Sequence, residues 1–372
     1  MNCLPNSLTL PPETRCSAGA ARQLFKECMA FGSRGVLVCG RSLERSGRLH
    51  TILEDNDSVD NVLLWTHPGG EPTLEQVELL RNDACEHNPD WVAAIGGGSV
   101  MDLAKASAGL LRAPLPVVAY HDGEVIPPSE TPFLAVPTTA GTGSEATTVS
   151  VLTNTASGVK KSIRHPSFMA RAVILDAELL DGCPKPVIAA SGMDALTQAI
   201  ESYFSRGATW LTDTFALKAF TLILGSLERV YNGDRTKQED LLLGSYLAGL
   251  ALANARLGVV HGLAHPLGAR YHIPHGLACG VCLPLALEYN REAIQGKYDQ
   301  LSTLVREDIC DYVTALLQRL EVQSPFAGKR LEDTEAIIEE TLASGSTKAN
   351  PRSVTREDVA SLLNQLFSFA KV

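Results

Sequence analysis

The chain has 372 residues, 45% hydrophobic and 20% charged, the balance of a soluble globular protein with about two domains of roughly 150 residues each. Lys and Arg number 32 against 42 Asp and Glu, a net charge of −10, and no basic cluster exceeds Lys160-Lys161, which argues against a nucleic-acid partner. Mean hydropathy is +0.04, and every apolar stretch breaks at a charge, Gly or Pro short of the roughly 18 residues a membrane span needs, so no membrane partner is expected.

Residues 1–12 show neither a basic start nor a long apolar run, so no signal peptide is expected. Nine cysteines lie scattered without disulfide spacing, which fits a reducing cytosol and a cytoplasmic protein. Short apolar runs at 35–39, 61–65, 91–95, 115–120, 133–136 and 172–176 predict strands buried on both faces. Amphipathic stretches at 73–88 and 100–111 predict helices between them, hence an open α/β sheet. Residues 154–158 read as a turn, predicting a hairpin on the edge of that sheet.

The rhythm changes after Pro186. Segments 187–205, 210–231, 236–257 and 287–320 carry Ala, Leu, Glu and Gln at three-and-four spacing, and β-branched runs fade. The boundary falls near 180–187, giving an α/β domain over 1–182 and an all-helical domain over 183–372. Residues 343–353 read as a loop before a final helix capped by Thr355.

Gly96-Gly97-Gly98-Ser99 follows a predicted strand and precedes a predicted helix. Residues without Cβ let backbone N–H groups approach an anion, and the helix start adds its positive end, so this turn suits a pyrophosphate. The loop at 137–147 also follows a strand; its hydroxyls and glycines suit a ribose or nicotinamide as well as plain connection.

His261, His265, His272 and His275 lie within fifteen residues. His261 and His265 are four apart and share one helical face, with Pro266 near a kink or end. Clustered imidazoles point to a metal or acid–base site. Asp194 and Gln198 share a face at the start of the helical domain; there Asp194 reads as a cap, a solvated charge or the carboxylate of a divalent-metal site. Cys279 and Cys282 have redox-motif spacing, but lead into Leu283-Pro284 rather than opening a helix after a strand, so buried packing is expected.

Through these motifs, in this order, the chain resembles the iron-containing (group III) alcohol dehydrogenases, within the superfamily of glycerol dehydrogenases and dehydroquinate synthases. The match is strongest at 96–105, 137–145, 191–203 and 258–284. The resemblance implies a Rossmann-like α/β dinucleotide-binding domain and a C-terminal helical domain with the active site in the cleft between them. It implies hydride transfer between NAD(P)H and a small aldehyde or ketone, and a homodimer. By resemblance, Gly96, Gly97, Gly98 and Ser99 wrap the pyrophosphate; Thr138, Thr139 and Thr142 meet the nicotinamide half; and Lys160 reaches the cofactor ribose. Asp194, His261 and His275 fall on the metal ligands, Gln198 stands where many members carry a third ligating histidine, and His265 lies beside the metal as the catalytic proton relay.

An amide oxygen is a weaker donor than imidazole, so weaker metal retention is expected, with Fe2+, Zn2+ or manganese left open. The strand ending at Cys39 is followed by Gly40-Arg41-Ser42 with no carboxylate to repel a 2′-phosphate, which favours NADPH over NADH. Arg270 reads either as a surface charge, the favoured reading, or as a partner for an acidic aldehyde such as a semialdehyde or a phosphonate-bearing carbonyl. The rivals are a maleylacetate reductase, a dehydroquinate-synthase-like lyase and a non-catalytic nucleotide-binding scaffold.

Overall fold

Runs of small and β-branched apolar residues such as Trp91–Gly96 and Phe133–Pro137 are buried along their whole length, as strands covered on both faces must be. They belong to a computed structural model that describes residues 7–54 and 61–368; Cys3 lies outside the described residues. The chain forms two compact units: Thr9–Thr139 with Gly143–Gly182, and the residues from Cys183 onward with Ala140–Thr142.

The first unit runs β1 (Glu13–Cys16), α1 (Leu24–Cys28), β2 (Gly35–Gly40), α2 (Arg41–Arg45), α3 (Arg48–Glu54), β3 (Val62–His67), α4 (Leu74–His87), β4 (Trp91–Gly96), α5 (Gly98–Leu110), α6 (Val117–Asp122), β5 (Phe133–Pro137), β6 (Val149–Asn154), β7 (Val159–Arg164) and β8 (Ala172–Leu175). Six strands make one parallel sheet in the order β1-β8-β5-β4-β2-β3. From β2 the chain passes to β3 on one side and then to β4 on the other. The carboxyl ends of β2 and β4 therefore flank the switch point where open α/β sheets bind ligands. Thr73 caps α4 reciprocally with Gln76, and Asn88 ends it in the left-handed conformation.

Two expectations change here, and one strand was not anticipated. Residues 115–120 form no strand: Pro116 cannot donate to a ladder and instead caps α6, which buries Val117, Tyr120 and His121 at helical spacing. The hairpin around 154–158 is real, but β6 and β7 form their own two-stranded antiparallel sheet rather than an edge of the large one. The edge strand β1 was missed because all four of its residues are exposed and it carries no apolar pattern.

The second unit holds α7 (Lys185–Phe204), α8 (Trp210–Tyr231), α9 (Gln238–Ala255), α10 (Val259–Tyr271), α11 (His275–Asn290), α12 (Gln295–Val305), α13 (Ile309–Arg319), α14 (Thr334–Ala343), α15 (Gly345–Lys348) and α16 (Arg356–Ser368). The expected helical stretch at 287–320 divides into the end of α11, α12 and α13, with Arg306 left-handed at the break after α12. The expected loop at 343–353 contains the short α15. Thr355 and Asp358 do bond reciprocally at the start of α16. Among the described residues, no single helix is long and apolar enough to cross a membrane.

Candidate active site

At the carboxyl end of β4, Gly96 closes the strand, Gly97 caps α5 and Gly98 and Ser99 open it. The glycines are required by packing as well as by conformation. A Cβ on Gly96 would stand 2.5 Å from Val100 Cβ, and one on Gly97 would stand 3.1 Å from Thr139 Oγ1. The backbone N–H of Thr138 donates to Gly96 O at 2.9 Å, which joins the turn after β4 to the loop after β5.

That loop is anchored by a buried lysine that sequence reasoning missed. The Lys105 ammonium has three protons and lies within hydrogen-bond distance of four acceptors: Ser144 O (2.5 Å), Ser144 Oγ (2.8 Å), Thr147 Oγ1 (3.2 Å) and Val149 O (2.7 Å). Ser144 Oγ donates in turn to Asp102 Oδ1 at 2.5 Å, and the N–H of Val151 donates to Asp102 Oδ2 at 3.0 Å. Helix α5 thus fixes both its own glycine start and residues 144–149. Burial lowers Lys105 to about 8, against the pull of Asp102 and Glu145, and raises Glu145 to about 7. A charge inside an Ala-rich helix was the available signal.

In the helical unit, Asp194 sits in the middle of the 20-residue α7, not at a helix start, and is 2% exposed. His261 lies in the first turn of α10, and His275 opens α11. The structure brings these three together: His261 Nε2 lies 3.4 Å and His275 Nε2 3.9 Å from Asp194 Oδ1. Cys279, one turn after His275, joins them, and one donor atom from each of the four falls within 4.8 Å of all the others. Cys279 and Cys282 both lie inside α11 and are buried, as expected for packing, and Cys279 in addition borders the Asp194, His261 and His275 group.

Close helix approach makes this cluster possible. A Cβ on Gly276 would fall 2.1 Å from Ala190 O and 3.0 Å from Asp194 Cβ, and one on Gly280 would fall 3.0 Å from Met193 Cβ. Two glycines four apart thus let α11 lie directly on α7.

Glu201, two turns beyond Asp194 on α7, holds the start of α10. Its Oε1 accepts from Val260 N at 2.7 Å, and its Oε2 pairs with His261 Nδ1 at 2.7 Å, which leaves Nε2 facing Asp194. Burial lowers the proton affinity of His261, but Cys279, Asp194 and Glu201 outweigh it and raise the imidazole well above its ordinary value; burial pushes Cys279 up to about 12. Asp194 Oδ1, Gln198 Oε1 and His261 Nε2 are buried with no hydrogen-bond partner among the described residues. Native interiors rarely leave such atoms unsatisfied, and a divalent cation fits this carboxylate–imidazole donor set. Gln198 lies on the Asp194 face of α7 and is oriented by its amide, which donates to Thr142 O at 3.1 Å.

The His265 ring stacks on His275, with centroids 5.0 Å apart. Pro266 does not end α10, which continues to Tyr271. His272 is exposed and ends that helix in the left-handed conformation. The Arg270 guanidinium is engaged by both Glu340 oxygens. Lys160 pairs with Glu71.

The iron-containing alcohol dehydrogenase model matches residues 11–177, and the C-terminal model of the Fe-containing alcohol dehydrogenase family matches residues 188–367. The chain belongs to the iron-containing alcohol dehydrogenase family. As a member it is an oxidoreductase acting on alcohols and aldehydes. It is 34% identical to Escherichia coli K12 "Probable alcohol dehydrogenase EutG", over 96% of this chain and 93% of that one. It is 32% identical to lactaldehyde reductase of Escherichia coli K12, over 96% and 99% of the two chains. Sulfoacetaldehyde reductase of Bifidobacterium kashiwanohense, solved in complex with NAD+, superposes with a TM-score of 0.90 at 27% identity, over 98% of this chain and all of that one.

Proposed function

We propose that this family member is a metal-dependent alcohol dehydrogenase or aldehyde reductase, moving a hydride between a nicotinamide dinucleotide and a small aldehyde or ketone. The observation that carries the reading is the buried pair Asp194 Oδ1 and His261 Nε2, 3.4 Å apart, each without a hydrogen-bond partner, with His275 Nε2 3.9 Å from the same oxygen. Asp194, His261 and His275 hold a divalent cation, with Gln198 as an amide donor beside them. When bound, the cation supplies Lewis acidity at a carbonyl oxygen, and the nicotinamide gives or takes the hydride.

The remaining roles belong to the chain. Glu201 fixes the His261 tautomer so that Nε2 offers its lone pair. His265, half-buried and stacked on His275, relays the alcohol proton to solvent. Gly96, Gly97, Gly98 and Ser99 take the pyrophosphate at the start of α5. Thr138, Thr139 and Thr142 face the nicotinamide half, and Lys160 exchanges Glu71 for the ribose. Arg41 and Ser42 are exposed just past the end of β2, where no carboxylate stands, which favours NADPH. The pairing of Arg270 with Glu340 favours a neutral substrate over an acidic one. The chain acts as a cytoplasmic homodimer, joined through edge strands of the α/β unit.

The test is a screen of small aldehydes with NADPH and NADH, with added Fe2+ or Zn2+. Metal-dependent nucleotide oxidation, faster with NADPH, is expected; turnover unchanged by chelation contradicts the reading. His265→Ala should lower kcat by about 10²–10⁴-fold while leaving nucleotide and metal binding intact.

A further inference from the structure

We propose that Cys279 is a direct ligand of the cation, a thiolate that takes over from the imidazole replaced by Gln198 and turns the centre toward thiophilic metals. This rests on the metal site proposed above. Cys279 stands four residues after His275 on α11, so both side chains leave the same face one turn apart. Its Sγ lies 3.6 Å from His275 Nε2, and donor atoms of Asp194, His261, His275 and Cys279 all fall within 4.8 Å of one another. Four donor atoms so spaced are close enough together to bind one ion, and carboxylate, imidazole and thiolate are all donors that zinc takes.

Independent observations point to a ligand there. Asp194 and His261 are 2% and 3% exposed, and Asp194 Oδ1 and His261 Nε2 are buried 3.4 Å apart with no hydrogen-bond partner among the described residues. Gly276 and Gly280, on either side of Cys279 in sequence, bring α11 against α7 closely enough to carry the sulfur to Asp194. Coordination would release the thiol proton to solvent and form one metal–sulfur bond; no oxidant or reductant takes part. The donor set becomes one carboxylate oxygen, two imidazole nitrogens and one thiolate sulfur. Such a set favours Zn2+ or Co2+ over harder ions such as Mn2+.

Cobalt substitution of the full-length protein reads this directly, because a Co2+–thiolate bond gives an intense near-ultraviolet charge-transfer band, whereas nitrogen and oxygen ligands give only weak visible bands. One equivalent of Co2+ should produce that band in the wild type and in Cys282→Ser, and the band should vanish in Cys279→Ser. In a chelator competition, Cys279→Ser should lose at least about tenfold in Zn2+ affinity, and less in Mn2+ affinity. Stoichiometric Co2+ in the wild type without the band overturns the thiolate ligand while leaving the three-residue centre standing. A band that survives in Cys279→Ser overturns it too. Failure of the wild type to bind Co2+ overturns this inference together with the reading beneath it.

Discussion

Glu201 grips His261 and its helix with a single carboxylate: Oε2 pairs with His261 Nδ1 at 2.7 Å while Oε1 accepts the Val260 N–H at 2.7 Å. The same side chain caps α10 and sets which imidazole nitrogen faces Asp194. Glu201→Gln keeps the size but has only one accepting oxygen, so one of the two bonds is lost. Metal affinity should fall by about 10–100-fold, measured by chelator competition. An unchanged affinity would show that the tautomer is set elsewhere.

Gln198 is the residue at which this chain departs from a three-histidine centre. Gln198→His should raise Fe2+ retention after identical chelator treatment, since imidazole binds the ion better than an amide oxygen. Metal analysis of the two purified proteins checks this. Equal, stoichiometric iron in both would mean that position 198 contributes nothing to retention.

The fit of α11 on α7 makes a sharp contrast between two glycines. Gly276→Ala must displace the Ala190 carbonyl, 2.1 Å from the new methyl, and should cost about 1–3 kcal/mol in urea denaturation and reduce metal occupancy. Gly225→Ala on α8 meets nothing within 4 Å and should be neutral or stabilising by about 1 kcal/mol. A Gly276→Ala protein as stable and as metal-loaded as the wild type would contradict the packing account.

The buried Glu145 and Lys105 give opposite pH signatures. Burial raises Glu145 from 4.5 to about 7, so its neutral form favours the fold at low pH and that stability is lost as pH rises from 4.5 through 7. Glu145→Gln should therefore gain on the wild type by up to about 3 kcal/mol across that window. Burial lowers Lys105 from 10.5 to about 8, so the wild type should gain on Lys105→Met as pH rises from 8 to 10.5. Denaturation midpoints across both windows check the signs; differences flat with pH would show that neither group titrates inside the fold.

The sequence alone disclosed the parallel sheet, the helices that follow it and the glycine turn, because buried parallel strands and amphipathic helices leave distinct periods. Residues 115–120 misled because β-branched residues fit a strand locally, while Pro116 and a buried Tyr120 settle a helix. The strand β1 was invisible because it is polar and exposed. At the site, spacing and residue type marked the histidine cluster with His261 and His275, while Asp194 stood out as a ligand only through the family resemblance. Cys279 was noted for its spacing from Cys282 but not joined to that cluster, since Asp194 on α7 and His261 on α10 are distant in sequence and no local pattern records the convergence. Lys105 was overlooked for the same reason: its four acceptors lie 39 to 44 residues away in sequence.

The central claim is tested most directly by anomalous diffraction from crystals of the zinc- or iron-loaded protein, collected at the metal edge. One ion is predicted within about 2.0–2.2 Å of an Asp194 oxygen and of a ring nitrogen on both His261 and His275. A single peak elsewhere in the molecule, or side chains at 194, 261 and 275 that stay paired with one another in saturating metal, would contradict it.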